Sequence, residues 1–260
     1  MEKKAGSVIY KIVIALAAAV FLFAAFKLFT AGLQYFLAAK EYRGIASDAG
    51  MDDVNKGDTP EEELTLEDVG TVDFEELLKV NPDTVGWIRF PNPDTINYPI
   101  VHSKDNAEYL YRTFNGKDNG SGTIFMDMGC SDKFGDYNTL IYGHNMNDGS
   151  MFAKLMKYED EEYFKKNPYF YIYTLNGTVY RLKVMSVMKT DDKSEAYTRD
   201  FASDTAFKTF VKKMLSNSIY DTGVEAEDVE KMVTLSTCTN RASNERWLVQ
   251  GAVVNTIYGE

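Results

Sequence analysis

About eight short runs rich in Val, Ile, Tyr and Thr recur along this chain, each bounded by Gly, Asn, Asp or Pro. They fall at residues 85–90, 96–101, 123–126, 138–142, 170–175, 178–188, 232–237 and 247–257. Runs of that composition and length read as strands, and Asn176-Gly177 between two of them is a hairpin signal. Helical patterns are few. Asp73 with Glu76 resembles a capping box opening a short helix that presents Phe74, Leu77 and Leu78. Phe152, Leu155 and Met156 mark a second, and Phe207, Phe210, Val211, Met214 and Leu215 a third at three-to-four spacing. A mainly β chain must dispose of its sheet edges, so this pattern predicts a closed barrel or a sandwich.

The N-terminus is of another kind. Residues 12–26 carry no charge, and after Lys27 the apolar run continues to Leu33. Crossing a hydrocarbon core takes about 20 helical residues, which this stretch supplies. Lys3, Lys4 and Lys11 precede it and an acidic stretch follows, which predicts a single-pass helix with a cytoplasmic N-terminus and the rest of the chain outside. A cleaved signal peptide is the rival; Ala38-Ala39 is a weak cleavage site, and the run exceeds an ordinary signal core. Residues 40–71 are polar and acidic, including Glu61-Glu62-Glu63, and read as a tether. The expected plan is 1–39 anchor, 40–71 linker and 72–260 folded domain.

A net charge of −11 argues against nucleic acid as a partner, since a phosphate backbone would be repelled. Zinc-type Cys-x-x-Cys, His-Glu-x-x-His, Gly-x-Ser-x-Gly and phosphate-cradling glycine motifs are absent from the sequence, so no cofactor and no metal is expected. Asp127, Asp132 and Asp136 read as solvated loop charges. With two cysteines and two histidines, any thiol–imidazole chemistry comes from four pairings.

Cys238 ends the run Met-Val-Thr-Leu-Ser-Thr-Cys, and Arg246 opens the next. If those strands pair as an antiparallel hairpin, the two residues become neighbours at one rim, where a guanidinium favours a thiolate and binds a developing oxyanion. Arg241 is nearer in sequence but sits in the intervening loop and ranks second. His144 follows the strand Asn-Thr-Leu-Ile-Tyr, while His102 follows Tyr-Pro-Ile-Val, so position alone does not separate the histidines.

Thr-Leu-Ser-Thr-Cys ending a strand, an Arg eight residues later and Tyr-Gly-His-Asn-Met upstream together resemble a class B sortase. Val-Gly-Trp-Ile at 85–88, Tyr-Pro-Ile-Val at 98–101, Asp-Asn-x-x-Tyr-Leu at 105–110 and Ser-Gly-x-Ile-Phe at 121–125 add to the likeness, which covers residues 72–258. The helix at 207–215 resembles the insert that sets class B apart from class A. The resemblance implies an eight-stranded closed barrel and a site of Cys238, His144 and Arg246, with Ser236, Thr237 and Tyr142 along the substrate groove. It gives no role to His102 or Cys130.

It also implies a transpeptidase that cuts sorting-signal peptides of secreted proteins after Thr, in an Asn-Pro-x-Thr-x or related Pro-x-Thr motif. The acyl group would pass through a thioester to an amine of a peptidoglycan precursor or a pilin. The bilayer would be a partner through the N-terminal helix. Residues 190–200 are further candidates for substrate contact. A purely hydrolytic cysteine protease and a non-catalytic tethered binding protein are the rival functions.

Overall fold

The computed structural model describes residues 2–52, 65–91, 96–239 and 244–259, with side chains from Tyr10 onward. The chain divides into two compact units, Met1–Lys40 and Glu41–Glu260. Helix α1 (Glu2–Asp48) makes up the first and continues into the second. Among the described residues it is the one helix long and apolar enough to cross a membrane. Phe21, Leu28 and Phe29 are each more than two-thirds exposed along it, a surface suited to lipid rather than water.

The second unit begins with the last turns of α1. Tyr42, Ile45, Ala46 and Ala49 recur at helical spacing and are buried, as is Met51. The Tyr42 hydroxyl donates to the Gly122 carbonyl at 2.5 Å, and the Asn97 amide donates to the Met51 carbonyl at 2.8 Å. The stretch expected as a tether therefore packs at its leading edge. Its polar average hides one apolar helix face. The acidic run 61–63 lies outside the described residues.

Helix α2 (Leu66–Val69) is capped by Thr65 and Asp68. Helix α3 (Phe74–Val80) starts where Asp73 accepts the Glu76 N–H at 3.1 Å. Of its three expected apolar residues Leu77 is buried, Phe74 half-buried and Leu78 exposed.

The strands are β1 (Thr84–Arg89), β2 (Asn97–His102), β3 (Ile124–Met126), β4 (Asn138–Tyr142), β5 (Tyr169–Thr174), β6 (Val179–Asp191), β7 (Met232–Cys238) and β8 (Glu245–Ile257). They close into a barrel in the order β1-β2-β3-β4-β7-β8-β6-β5, with β5 returning to β1. Of the two architectures the pattern allowed, the barrel is the one formed. β2–β3 and β4–β7 are parallel; the other pairs are antiparallel. The β5–β6 turn has Gly177 at φ +81°, a backbone that side-chain-bearing residues rarely adopt.

Two helical inserts cover the barrel. Residues Phe152–Glu159 form a 3-10 segment that runs into α4 (Glu161–Lys166). Helix α5 (Asp204–Ser216) opens with Ser203 accepting the Ala206 N–H and buries Phe207, Phe210, Val211 and Met214 against Met185, Met188, Met232 and Leu248. Each such side chain contributes about 1.5–3 kcal/mol on burial, enough to hold a 13-residue helix that would be marginal alone.

Candidate active site

Strand pairing determines which residues meet. Because β4 and β7 run parallel, with Tyr142 opposite Ser236, both chains leave the barrel at one rim. His144 and Cys238 each lie two residues beyond that pair. Strand β8 returns antiparallel to β7 and sets Arg246 directly opposite Cys238. Main-chain and side-chain bonds seal the join. The Gly143 N–H donates to the Ser236 carbonyl at 3.2 Å, and the Asn145 amide donates to the Cys238 carbonyl at 2.9 Å.

Glycine at 143 is a matter of space. A Cβ there would come within 2.4 Å of Ile124 Cδ1 and 2.7 Å of Phe152 Cγ. The chain thus turns tightly between two core side chains and delivers His144 to the rim.

His144 Nε2 lies 2.6 Å from the Leu110 carbonyl oxygen. A carbonyl only accepts, so Nε2 carries a proton and Nδ1 is the nitrogen left for proton exchange. The Tyr111 ring sits 5.8 Å from the imidazole, centroid to centroid. Arg246 Nη1 donates to the Glu245 carbonyl at 3.1 Å, and its Nη2 is 3.6 Å from Asp192 Oδ2.

A cavity of about 480 Å³ opens here, lined by Cys238, His144, Arg246, Ser236, Thr237 and Tyr142. The six residues that the resemblance put at the site thus share one concave surface. Arg241 lies outside the described residues. His102 ends β2 opposite Met126 and does not line the cavity; its Nε2 is buried and has no hydrogen-bond partner among the described residues. Cys130 is buried, its sulfur accepts the Leu140 N–H at 3.4 Å, and burial pushes its thiol up to about 12. Both cysteines are free thiols.

The same cavity takes in residues that the sequence did not single out by number: Asn106, Leu110, Phe125, Asp192 and Tyr197. Asp192 and Tyr197 fall within the 190–200 stretch flagged for substrate contact. The Tyr197 and Ser236 hydroxyls are 2.9 Å apart. Burial raises the Tyr197 phenol, while the Ser236 bond and the Arg246 charge pull it the other way.

Asp127 departs from its reading as a solvated loop charge: it is 8% exposed. Burial pushes its carboxyl up, but the Gly129 N–H, Tyr142, Asn106 and the Arg199 charge together hold it below the ordinary carboxylate range. The same burial, with Asp127 alongside, pushes the Tyr142 phenol well up. Asp136 accepts the Ser131 N–H at 2.7 Å, closing its own loop. No spacing rule links residues 106, 127 and 199, so nothing local in the sequence could have found this cluster.

A sortase domain family model matches residues 88–254. The chain is similar to sortase B of Listeria monocytogenes, 35% identical over 184 residues, covering 70% of this chain and 74% of that protein. It is 32% identical to sortase B of Staphylococcus aureus over 170 residues, 65% of this chain and 69% of the relative. Among solved structures it resembles sortase B from Bacillus anthracis in complex with AAEK1, with TM-score 0.69 and 35% identity, covering 85% of this chain and 98% of that one. A Staphylococcus aureus sortase B–substrate complex matches with TM-score 0.71 and 26% identity, over 88% of this chain and 100% of the other.

Proposed function

This chain belongs to the sortase family of transpeptidases, in its class B branch, and we propose that Cys238 is the nucleophile, Arg246 the oxyanion clamp and His144 the acid and base. The observation that carries the assignment is the strand register. Cys238 faces Arg246 across the β7–β8 ladder, and the Asn145 bond ties the His144 turn to the Cys238 carbonyl.

In the acylation half, the Cys238 thiol passes its proton to His144 Nδ1, and the resulting thiolate attacks the carbonyl carbon of a threonine in a Pro-x-Thr-type sorting peptide, Asn-Pro-x-Thr-x being the form expected for class B. A C–S bond forms and the carbonyl electron pair moves to oxygen. Arg246, on the adjacent strand, supplies the positive charge that this oxyanion needs. The C–N bond then breaks, and His144 gives its proton to the departing amine. In the second half, an amine of a cell-wall precursor or a pilin attacks the thioester, loses a proton to His144 and expels the Cys238 thiolate.

Tyr142, Ser236 and Thr237 line the groove in which the peptide would lie. Asp192, 3.6 Å from Arg246, restrains the guanidinium between turnovers. Helix α1 anchors the enzyme in the cell membrane, N-terminus in the cytoplasm and barrel outside, where sorting substrates emerge. Within the proposed plan of anchor 1–39, linker 40–71 and catalytic domain 72–260, the packed turn from Glu41 to Met51 belongs with the barrel, as its burial supports.

The test is to incubate the full chain in detergent with a panel of quenched Pro-x-Thr peptides, with and without an added amine, and to record intact mass. A thioester adduct on the wild type that is absent from Cys238→Ala, and a new amide when amine is supplied, is the expected result. Peptide cleavage that never yields amide would make the protein a hydrolase. No adduct with any peptide from folded protein would refute the assignment.

A further inference from the structure

Asp127 does not line the cavity, yet three of the residues that form or carry its wall are bonded to it. Its Oδ2 accepts the Tyr142 hydroxyl at 2.9 Å and the Asn106 amide nitrogen at 2.8 Å. Its Oδ1 accepts the Gly129 N–H at 2.9 Å and Arg199 Nη1 at 2.6 Å. These donors come from separate places: the end of β4, the connection after β2, the turn after β3 and the segment between β6 and α5.

Each bond removes a freedom that a groove wall would otherwise have. The Asn106 oxygen accepts the Met128 N–H at 2.7 Å, so its nitrogen must face Asp127, and the amide cannot flip without breaking both bonds. Tyr142 must spend its proton on the carboxylate, which leaves its oxygen only an acceptor toward the groove. Arg199 lies across Gly129 so closely that a Cβ there would come within 1.6 Å of its Nη1. Two residues earlier, Tyr197 reaches the Ser236 hydroxyl. The segment that bears it is also pinned by Asn138, whose amide donates to the Thr198 carbonyl at 2.8 Å and the Ala196 carbonyl at 3.3 Å.

We propose that Asp127 is a positioning residue for peptide selection: it fixes the hydrogen-bonding polarity of Asn106 and Tyr142 and, through Arg199, tethers the segment that presents Tyr197. The proposal rests on the transpeptidase reading for its substrate but not for its structural effect. Asp127 touches neither Cys238 nor His144, so it governs how well a peptide is held rather than how fast the thiol reacts. Replacing its carboxylate with an amide removes the negative charge and sets an N–H against one pair of these donors.

The test compares full-length wild type, Asp127→Asn and Arg199→Met in detergent. Steady-state kinetics with a cleaved peptide, iodoacetamide alkylation of Cys238 and hydrogen exchange without peptide are the readouts. Asp127→Asn should raise KM about tenfold, with kcat and the alkylation rate within about twofold of wild type. Exchange over residues 192–201 should quicken while β6 and β8 stay protected. Arg199→Met, which leaves the carboxylate in place, should quicken the same exchange and raise KM less.

A fall in kcat at constant KM, or slowed alkylation, would overturn the proposal, because either places Asp127 in the chemistry. If wild type forms no acyl-enzyme with any peptide, the transpeptidase reading fails, and exchange decides alone. Quickened exchange confined to 192–201 then supports the tether, and unchanged exchange in both variants refutes it.

Discussion

Strand ends and loops share the cavity around Cys238, and different forces hold them. Cys238, Arg246, Ser236 and Tyr142 sit on β4, β7 and β8, where ladder bonds to neighbouring strands set each backbone position. His144 is two residues off such an end. Asn106, Leu110, Asp192 and Tyr197 sit on connections, held by local main-chain bonds and a few side-chain ties: Asp127 to Asn106 and Arg199, Asn138 to the 196–198 backbone, and the Arg246–Asp192 ion pair. A ladder has many redundant bonds, whereas a tether of one or two can be cut by a single substitution. Of the proposed reacting groups, Cys238 and Arg246 therefore stand on the rigid side and His144 just beyond it, while the loop part of the proposed peptide groove is the adjustable one.

This contrast predicts that substitutions on the strand side strike turnover and those on the loop side strike affinity. The largest effects belong to the reacting groups. Cys238→Ala should abolish the thioester adduct by mass, while His144→Ala and Arg246→Ala should each lower kcat by at least about 10²-fold. A bell-shaped pH–rate profile should accompany wild-type turnover, and a flat one would break the thiol–imidazole pairing. Gly143→Ala comes next: crowding against Ile124 and Phe152 should cost about 1–3 kcal/mol and shift the His144 turn, seen as a lowered Tm together with lowered kcat. A variant with wild-type Tm and kcat would show that the turn has slack.

The loop side can be reached from β4: Asn138→Ala removes the fully buried donor to the Ala196 and Thr198 carbonyls. It should cost about 1–3 kcal/mol and raise KM several-fold while kcat holds. A selective loss of kcat would erase the distinction between the two sides.

A smaller effect comes from acid. The Asp127 carboxyl is held below its ordinary range in the folded chain, so as pH falls the unfolded chain binds the proton first. Its stabilisation is complete above about pH 4 and is lost as pH drops through the lower folded value. The Tm of wild type should therefore fall more steeply in acid than that of Asp127→Asn; parallel curves would remove the carboxylate from the account.

Smallest of all is Cys130. Its buried thiol, pushed up to about 12, should stay unlabelled by iodoacetamide at pH 8 while Cys238 reacts. Cys130→Ala should keep kcat/KM within about twofold. A doubly labelled wild type would contradict the burial.

The eight strands were legible because each alternates or concentrates β-branched and aromatic residues between turn-formers, a signal contained within one short segment. Cys238 and Arg246 were legible for the same reason: a hairpin converts their short separation into contact. The loop wall was not. Asp127, Asn106 and Arg199 are far apart in the chain, and an aspartate followed by Met-Gly-Cys-Ser-Asp looks like any solvated turn. The packed end of α1 and the turn after it were missed because four buried residues, Tyr42, Ile45, Ala46 and Ala49, were diluted by the acidic stretch that follows.

The sequence alone determined the strand inventory, the apolar N-terminal helix, and a thiol and a guanidinium at facing strand ends, all properties of local pattern and short-range pairing. Tertiary structure decided that the sheet closes as a barrel rather than a sandwich. It brought β4 beside β7 so that His144 joins Cys238, and it gave His144 a main-chain carbonyl from Leu110 as its partner. It also made Asp127 a buried junction. Those outcomes depend on which distant strands and loops come together when the barrel closes, and that choice is made by the whole core at once rather than by any short segment.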